Sequence, residues 1–195
     1  MNICIFGASS EIIDEKYIDA AYNLSATLAK GGHNLVFGGG KYGVMGACAR
    51  GFHDNKAKVL GIAPYFMEQY KVLYDECTEF ITTQTMAERK TIMEDNADAF
   101  IIAPGGIGTY EEFYEVFTLK QLGRHRKPII IFNCFGYYND MMKMLQYTID
   151  EKFLAPASTQ LIGLCDNARE IIDYLKNYQP QSADVSKLRF DPDEK

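Results

Sequence analysis

A glycine-rich loop that runs into two adjacent carboxylates is the segment of this sequence best suited to chemistry, and it covers residues 104–112. It reads Pro-Gly-Gly-Ile-Gly-Thr-Tyr-Glu-Glu. The amides of Gly105 and Gly106 can approach an anion closely because neither residue has a side chain, and the free N–H groups of a helix that opens at Gly108 favour a phosphate. Glu112 then projects from the first helical turn, so a carboxylate stands next to the predicted anion site.

A purely structural interpretation of the same loop competes with this one. Thr109 and Glu112 have the spacing of a capping box, in which the two side chains only satisfy backbone donors at a helix start. A capping box needs neither the preceding glycines nor the second carboxylate at Glu111, so we favour the functional interpretation. The loop lacks both the G-x-G-x-x-G spacing of a dinucleotide site and the Lys-Ser/Thr pair of a P-loop. A mononucleotide bound without a metal therefore fits best.

A helix predicted over residues 85–96 carries the second set of reactive side chains. Thr85 and Glu88 form a candidate capping box at its start. One face of the helix combines two cations with apolar residues, namely Met86, Arg89, Lys90, Met93 and Ala97. Either the stems of the cations lie along the core with their heads in solvent, or Arg89 faces a site where its guanidinium binds ribose, phosphate or a carboxylate. We favour the second alternative.

Two more glycine-bearing loops follow predicted strands. Residues 38–40 are three consecutive glycines, more than a tight turn usually needs, so we expect the backbone at Gly39 and Gly40 to contact a ligand. Residues 7–10 offer amides and hydroxyls, although Ser9 or Ser10 could equally cap a helix. Ligands of open parallel sheets bind beyond the carboxyl ends of the strands, so all of these loops predict a single site.

The elements that position these loops are short apolar runs that alternate with helical patterns. Strands are predicted over residues 2–6, 34–37, 58–63, 79–83, 99–103, 128–133 and 161–164, and helices over 14–30, 43–54, 85–96, 108–122, 138–152 and 167–177. This alternation predicts an α/β fold, a Rossmann-like three-layer sandwich around a parallel sheet of about six or seven strands. We expect one nucleotide-binding catalytic domain over residues 1–178 and a flexible tail over 179–195, which is polar and contains proline.

Composition disfavours several classes of function. The 195 residues are 47% hydrophobic and 24% charged with a net charge of −6, which is typical of a globular protein and disfavours nucleic-acid and membrane partners. The five cysteines are scattered without a C-x-x-C pair, so we expect no disulfide framework and a cytoplasmic location. The three histidines are dispersed as well, so we expect no metal site. We expect no cofactor of another kind either. We find neither a signal peptide nor a membrane-spanning segment.

Taken together, these motifs resemble the LOG (Lonely Guy) family of cytokinin riboside 5′-monophosphate phosphoribohydrolases, whose members are often labelled lysine decarboxylases. The family's P-G-G-x-G-T-x-x-E motif matches residues 104–112 in full, and its M-x-x-R-K motif matches residues 86–90. Similarity continues in several short stretches up to about residue 175, at 37–40, 43–46, 121–123 and 127–129. The resemblance implies a Rossmann-like fold and a homodimer with sites near the dimer interface.

The resemblance also implies a reaction, the hydrolysis of the N-glycosidic bond of a purine or cytokinin nucleoside 5′-monophosphate to the free base and ribose 5-phosphate. Arg89 and Glu112 would be the catalytic pair. The 5′-phosphate would be held by the glycine-rich loop, at Gly105, Gly106, Gly108 and Thr109. Further substrate contacts are expected at Gly39, Gly40, Met86, Lys90, Ile107 and Glu111.

Two departures from the family pattern and two alternative functions qualify this interpretation. Ala87 stands where many relatives have histidine, and Lys41 follows the triple glycine where relatives often have a small residue; both changes could alter base or phosphate preference. A non-catalytic carrier of a nucleotide or of the molybdenum cofactor is the main alternative, which the presence of both Arg89 and Glu112 opposes. Pyridoxal phosphate chemistry is disfavoured, because Lys90 lies in no recognisable cofactor motif.

Overall fold

Seven parallel strands form one sheet within residues 1–180, the part of the chain that the computed structural model describes. The strands are β1 (Asn2–Phe6), β2 (Asn34–Phe37), β3 (Val59–Pro64), β4 (Glu79–Thr83), β5 (Ala99–Ile102), β6 (Ile129–Phe132) and β7 (Gly163–Cys165). They lie in the order β4-β3-β2-β1-β5-β6-β7, and each neighbouring pair is parallel. The predicted parallel sheet is confirmed, whereas the predicted tail lies outside the described residues except for its first two positions.

Helices cover both faces of the sheet. They are α1 (Glu15–Lys30), α2 (Gly43–Asp54), α3 (Met86–Asp95), α4 (Ile107–Gln121), α5 (Asn139–Asp150) and α6 (Ala168–Asn177). The helices α1, α2 and α6 share a core with strand residues such as Ile3 and Leu35, while α3, α4 and α5 share the opposite core with the next residues along, Cys4 and Val36. Because successive strand residues point to opposite faces, apolar strands support both layers, and the three-layer sandwich is confirmed.

Each predicted strand and helix is present, and the bounds differ by two residues at most. Pro64 closes β3 beside Thr83 of β4, one residue beyond the predicted end, at a strand terminus where proline is tolerated. Strand β7 begins two residues later than predicted, because the chain before it coils into a 3-10 helix. Three such helices were not predicted, since short 3-10 turns leave no periodic pattern in a sequence: Tyr65–Tyr70, Cys134–Gly136 and Pro156–Leu161.

The order of the strands reverses between β1 and β5. After β1 the chain adds β2, β3 and β4 on one side, and then returns to pair β5 with the other side of β1. The carboxyl ends of β1 and β5 therefore form a topological switch point, where open α/β sheets bind ligands. The loops after these two strands meet there, because the amide of Ala8 donates a hydrogen bond to the carbonyl of Pro104 at 3.1 Å.

Candidate active site

A cavity of about 640 Å³ opens at the switch point, beyond the carboxyl ends of β1, β2 and β5. The loops after these strands, the starts of α3 and α4 and the 3-10 helix Tyr65–Tyr70 form its wall. Eight of the twelve residues predicted from the sequence line it, namely Gly40, Met86, Arg89, Gly106, Gly108, Thr109, Glu111 and Glu112. The other four are neighbours of lining residues in the chain but do not line the cavity themselves: Gly39, Lys90, Gly105 and Ile107.

A buried ion pair joins the two residues predicted to be catalytic. Arg89 Nη1 donates to Glu112 Oε1 at 2.9 Å, and the two residues are only 5% and 7% exposed. Arg89 Nε also donates to the carbonyl of Ile62 in β3 at 3.1 Å, so the sheet itself holds the guanidinium in place. The alternative in which the head of Arg89 reaches into solvent is wrong. An acidic and a cationic side chain therefore share one wall of the cavity.

Burial governs the charge of this pair. Removal of the Glu112 carboxyl from water raises its pKa above the ordinary value, and the positive charge of Arg89 opposes that rise. A buried carboxylate is costly unless it is paired and hydrogen-bonded. Arg89 is therefore the group that keeps an anion at this position in the cavity wall.

The start of α4 explains why Glu112 is available for this pairing. The helix begins at Ile107 with Gly106 as its N-cap, and no side chain caps it. Thr109 therefore lies inside the first turn, so the alternative in which Thr109 and Glu112 form a capping box is wrong. At the start of α3 only half of the expected capping box is present: the amide of Glu88 donates to Thr85 Oγ1 at 3.1 Å, whereas the Glu88 carboxylate accepts from the amide of Gln84 at 2.7 Å rather than from that of Thr85.

Backbone amides at the start of α4 are unpaired, and three of the four residues that carry them line the cavity. Within residues 1–180, the N–H groups of Gly106, Ile107, Gly108 and Thr109 have no hydrogen-bond acceptor. No atom lies within 4 Å of the position that a Cβ would occupy at Gly106 or Gly108, whereas a Cβ at Gly105 would overlap the side chain of Thr109. Open space and free donors at a helix N-terminus together suit an anionic group such as a phosphate.

The triple glycine after β2 has a second role that the sequence did not reveal. A Cβ at Gly38 would overlap the guanidinium of Arg89, so the absence of a side chain there makes room for the ion pair. Gly39 has a φ of 76°, a left-handed conformation that glycine adopts without strain. The amide of Gly40 donates to Met45 Sδ at 3.2 Å, and both Gly38 and Gly40 line the cavity.

Lys90 does not line the cavity and pairs instead with two carboxylates of α4. Its Nζ contacts Glu111 Oε1 and lies 2.6 Å from Glu115 Oε2. Hydrogen bonds to Glu111 and Glu115 raise the pKa of Lys90, which stays charged. Lys90 therefore ties α3 to α4 beside the ion pair of Arg89 and Glu112.

Several side chains of the cavity wall were not predicted. Five come from the loop after β2, from the first turn of α2 and from the chain at and after the 3-10 helix Tyr65–Tyr70: Tyr42, Met45, Met67, Tyr70 and Val72. Nothing in the spacing of these residues distinguishes them from ordinary packing residues. Ser9 and Ser10 line the cavity too, and the alternative that either caps α1 is wrong, because Asp14 caps that helix by accepting from the amide of Lys16 at 3.0 Å.

Among the described residues, no group of three His, Cys, Asp or Glu side chains is placed to hold a metal ion. Over the same range, none of the helices combines the length and the apolarity that crossing a bilayer requires.

Comparison with known proteins identifies close relatives over nearly the full length. Residues 45–175 match a family described as possible lysine decarboxylase. The chain is 38% identical to cytokinin riboside 5′-monophosphate phosphoribohydrolase LOG2 of Arabidopsis thaliana, with 97% of this chain and 89% of the relative covered. It is 37% identical to the LOG7 enzyme of the same plant, with 97% and 88% covered. A probable enzyme of this name from Oryza sativa, LOGL3, is 36% identical, with 91% and 84% covered.

Solved structures with the same fold are more distant in sequence. The molybdenum cofactor carrier protein of Chlamydomonas reinhardtii superposes with a TM-score of 0.69 at 19% identity, covering 90% of this chain and 95% of the carrier. The molybdenum cofactor binding protein of Rippkaea orientalis gives 0.69 at 20% identity, with 90% and 94% covered. Likeness at this level of identity establishes the fold alone.

Proposed function

This chain belongs to the LOG family, and on that premise we propose that it hydrolyses the N-glycosidic bond of a purine or cytokinin nucleoside 5′-monophosphate. The products are the free base and ribose 5-phosphate. The observation that carries the proposal is the buried ion pair of Arg89 and Glu112, which shares one cavity with the unpaired amides at the start of α4. A site for an anion and a carboxylate for a cationic transition state thus lie side by side.

The two ends of the cavity suit the two ends of such a substrate. The 5′-phosphate binds the free amides of Gly106, Ile107, Gly108 and Thr109, and the absence of a side chain at Gly105 leaves room for that of Thr109. The base lies against the apolar wall, which includes Met45, Met67, Tyr70, Val72 and Met86. The ribose between them then meets Glu111, Glu112 and Arg89, with Gly40 at the edge of the same cavity. In this arrangement Gly39 and Lys90 support the site without contacting the substrate.

The chemistry follows from the charge of the transition state. As the bond between the anomeric carbon and the base nitrogen breaks, its electron pair leaves with the base and positive charge develops on the ribose ring. The carboxylate of Glu112 stabilises that charge, and Arg89 keeps the carboxylate ionised and oriented. The oxygen of a water molecule bonds to the anomeric carbon as one of its protons passes to Glu112. That proton then passes from Glu112 to the base nitrogen, which restores the carboxylate.

Assembly and location complete the proposal. We place the protein in the cytoplasm as a homodimer whose sites lie near the subunit interface. The five cysteines are all unpaired, which suits a reducing compartment. Ile107, which is 83% exposed, lies between the cavity-lining residues Gly106 and Gly108, so a partner subunit that covered it would lie beside the cavity. Sedimentation equilibrium of the purified chain measures the assembly, and a monomer at micromolar concentration would contradict the dimer.

The test of the activity compares two variants of the ion pair with one neighbour. Glu112→Gln and Arg89→Ala are incubated with AMP and with isopentenyl-AMP, and the released base is quantified by chromatography. We expect each variant to lose activity by about 100-fold or more, because each removes stabilisation that develops only in the transition state. Glu115→Gln is the matched control, since it makes the same change one helical turn along α4 at a residue that does not line the cavity.

The possible outcomes separate the proposal from its alternative. Release of base at near the wild-type rate by a folded Glu112→Gln variant would exclude the assigned role. Tight binding of nucleotide by the wild-type protein without any release of base would favour a carrier instead. Nuclear magnetic resonance or circular dichroism spectra of each variant establish that the fold is retained.

A further inference from the structure

We propose that Tyr137 is a positioning residue that aims the amide of Gly106 at the phosphate of the substrate. The inference rests on the proposed function, because it concerns the anion site at the start of α4. Tyr137 follows the 3-10 helix Cys134–Gly136 on the loop after β6, next to the loop after β5. The hydroxyl of Tyr137 donates to the carbonyl oxygen of Gly105 at 2.8 Å.

Peptide geometry links this hydrogen bond to the cavity. The bond between Gly105 and Gly106 is trans, as are all the peptide bonds described, so the Gly105 C=O and the Gly106 N–H point in opposite directions in one plane. A carbonyl held towards Tyr137 therefore directs the Gly106 N–H away from Tyr137. Gly106 lines the cavity and Tyr137 does not, and the N–H has no acceptor within residues 1–180.

The peptide needs such an anchor because glycine flanks it on both sides. Two adjacent glycines restrict backbone rotation very little, so the peptide plane between them can turn over at low cost. The ring of Tyr137 is itself fixed by edge contacts with Tyr138 and Tyr17, at centroid distances of 4.9 and 5.5 Å. The hydroxyl of Tyr137 is thus held in place, and its hydrogen bond to Gly105 fixes the direction of the Gly106 N–H.

The neighbouring tyrosine provides a matched control within the same loop. The hydroxyl of Tyr138 donates to the carbonyl of Ala103 at 2.7 Å. The nitrogen of that peptide belongs to Pro104, which has no amide hydrogen to direct. Tyr137→Phe and Tyr138→Phe therefore each delete one hydroxyl bound to the same loop, but only Tyr137→Phe releases the carbonyl that orients the Gly106 amide. The Tyr138 hydroxyl also interacts with the backbone amide of Gly105, a residue that does not line the cavity.

The experiment measures binding of ribose 5-phosphate and of inorganic phosphate by calorimetry, for the full chain and for both variants. We expect Tyr137→Phe to weaken binding of both ligands by about tenfold, the effect of one hydrogen bond to a charged group. We expect Tyr138→Phe to bind both ligands as the wild type does, although its unfolding midpoint falls because the buried hydroxyl bond is lost. In steady-state kinetics with AMP, Tyr137→Phe should raise KM with little change in kcat.

Three outcomes would overturn the inference, and a fourth would overturn only the proposed function. Unchanged phosphate binding by Tyr137→Phe would show that the hydroxyl does not orient a phosphate donor, and equal weakening by both variants would show a general loss of loop structure. A wild-type chain that binds neither ligand would remove the anion site itself. If the wild type binds ribose 5-phosphate but releases no base from any nucleotide, the proposed hydrolase fails, while the contrast between the two tyrosine variants still decides the role of Tyr137.

Discussion

Replacement of Gly38 by alanine tests whether the ion pair depends on the missing side chain at the end of β2. The new Cβ would overlap the guanidinium of Arg89, which already donates to Ile62 and Glu112. Gly38 is not in the left-handed region of backbone space, so alanine is compatible with the backbone itself. Any loss therefore comes from displacement of Arg89.

The size of the effect follows from the bonds that Arg89 would lose. Each hydrogen bond from a charged donor contributes about 1.5–3 kcal/mol, and a displaced guanidinium weakens two of them. Partial relaxation of the flexible arginine recovers part of this, so we expect the free energy of unfolding to fall by about 2–4 kcal/mol. A misplacement of about 1 Å at a catalytic group costs about 100-fold in rate, so we expect a comparable loss of base release from AMP.

Urea unfolding and the AMP assay measure these two quantities in the single variant and in a double variant with Arg89→Ala. In the double variant the alanine at position 38 has no guanidinium to overlap. Adding Gly38→Ala to Arg89→Ala should therefore lower the free energy of unfolding by less than about 1 kcal/mol. Gly108→Ala serves as a control for stability, because open space surrounds that position and alanine in a helix should stabilise by about 0.5–1 kcal/mol. An equal loss on adding Gly38→Ala with and without Arg89 would refute the reasoning.

Two other predictions concern charges beside the site. Burial raises the pKa of Glu94 to about 7, so the Glu94 carboxyl binds its proton more tightly in the folded protein than in the unfolded chain. The free energy of unfolding therefore falls as the pH rises towards 7 and this proton is lost. Between about pH 5 and about pH 8, the free energy of unfolding of the wild type should therefore fall by about 1 kcal/mol more than that of Glu94→Gln. This figure is reduced because the Glu94 side chain is half-exposed and solvent screens its charge. Urea unfolding measures both proteins across this pH range, and an equal pH dependence in the two would contradict the prediction. Lys90→Met should lower the free energy of unfolding by about 1–2 kcal/mol, because it leaves two carboxylates of α4 unpaired. Salt screens the repulsion between these carboxylates, so the loss should be smaller at high salt. A Lys90→Met variant as stable as the wild type at low salt would argue against the prediction.

The fold could be predicted because local patterns and global packing agree. The strand β5 consists of four buried apolar residues bounded by Pro104, and such runs alternate with amphipathic helices along the chain. Right-handed crossovers then leave few arrangements for a parallel sheet. The 3-10 helix Tyr65–Tyr70 escaped prediction because its side chains follow no period, although two of them line the cavity.

The candidate site could be predicted where its chemistry lies in contiguous residues, and it could not where it depends on contacts across the sheet. In residues 104–112 the glycines and the glutamates follow one another directly, so the anion-binding amides and the carboxylate can be recognised from the sequence. The position of Arg89 depends on empty space at Gly38, 51 residues earlier, and the direction of the Gly106 amide depends on Tyr137, 31 residues later. Neither contact corresponds to a recognisable spacing of residues in the sequence, because parallel strands bring together loops that are far apart in the chain. In such folds the residues that orient a site are therefore identified from the structure, by the contacts that fix each functional group in position.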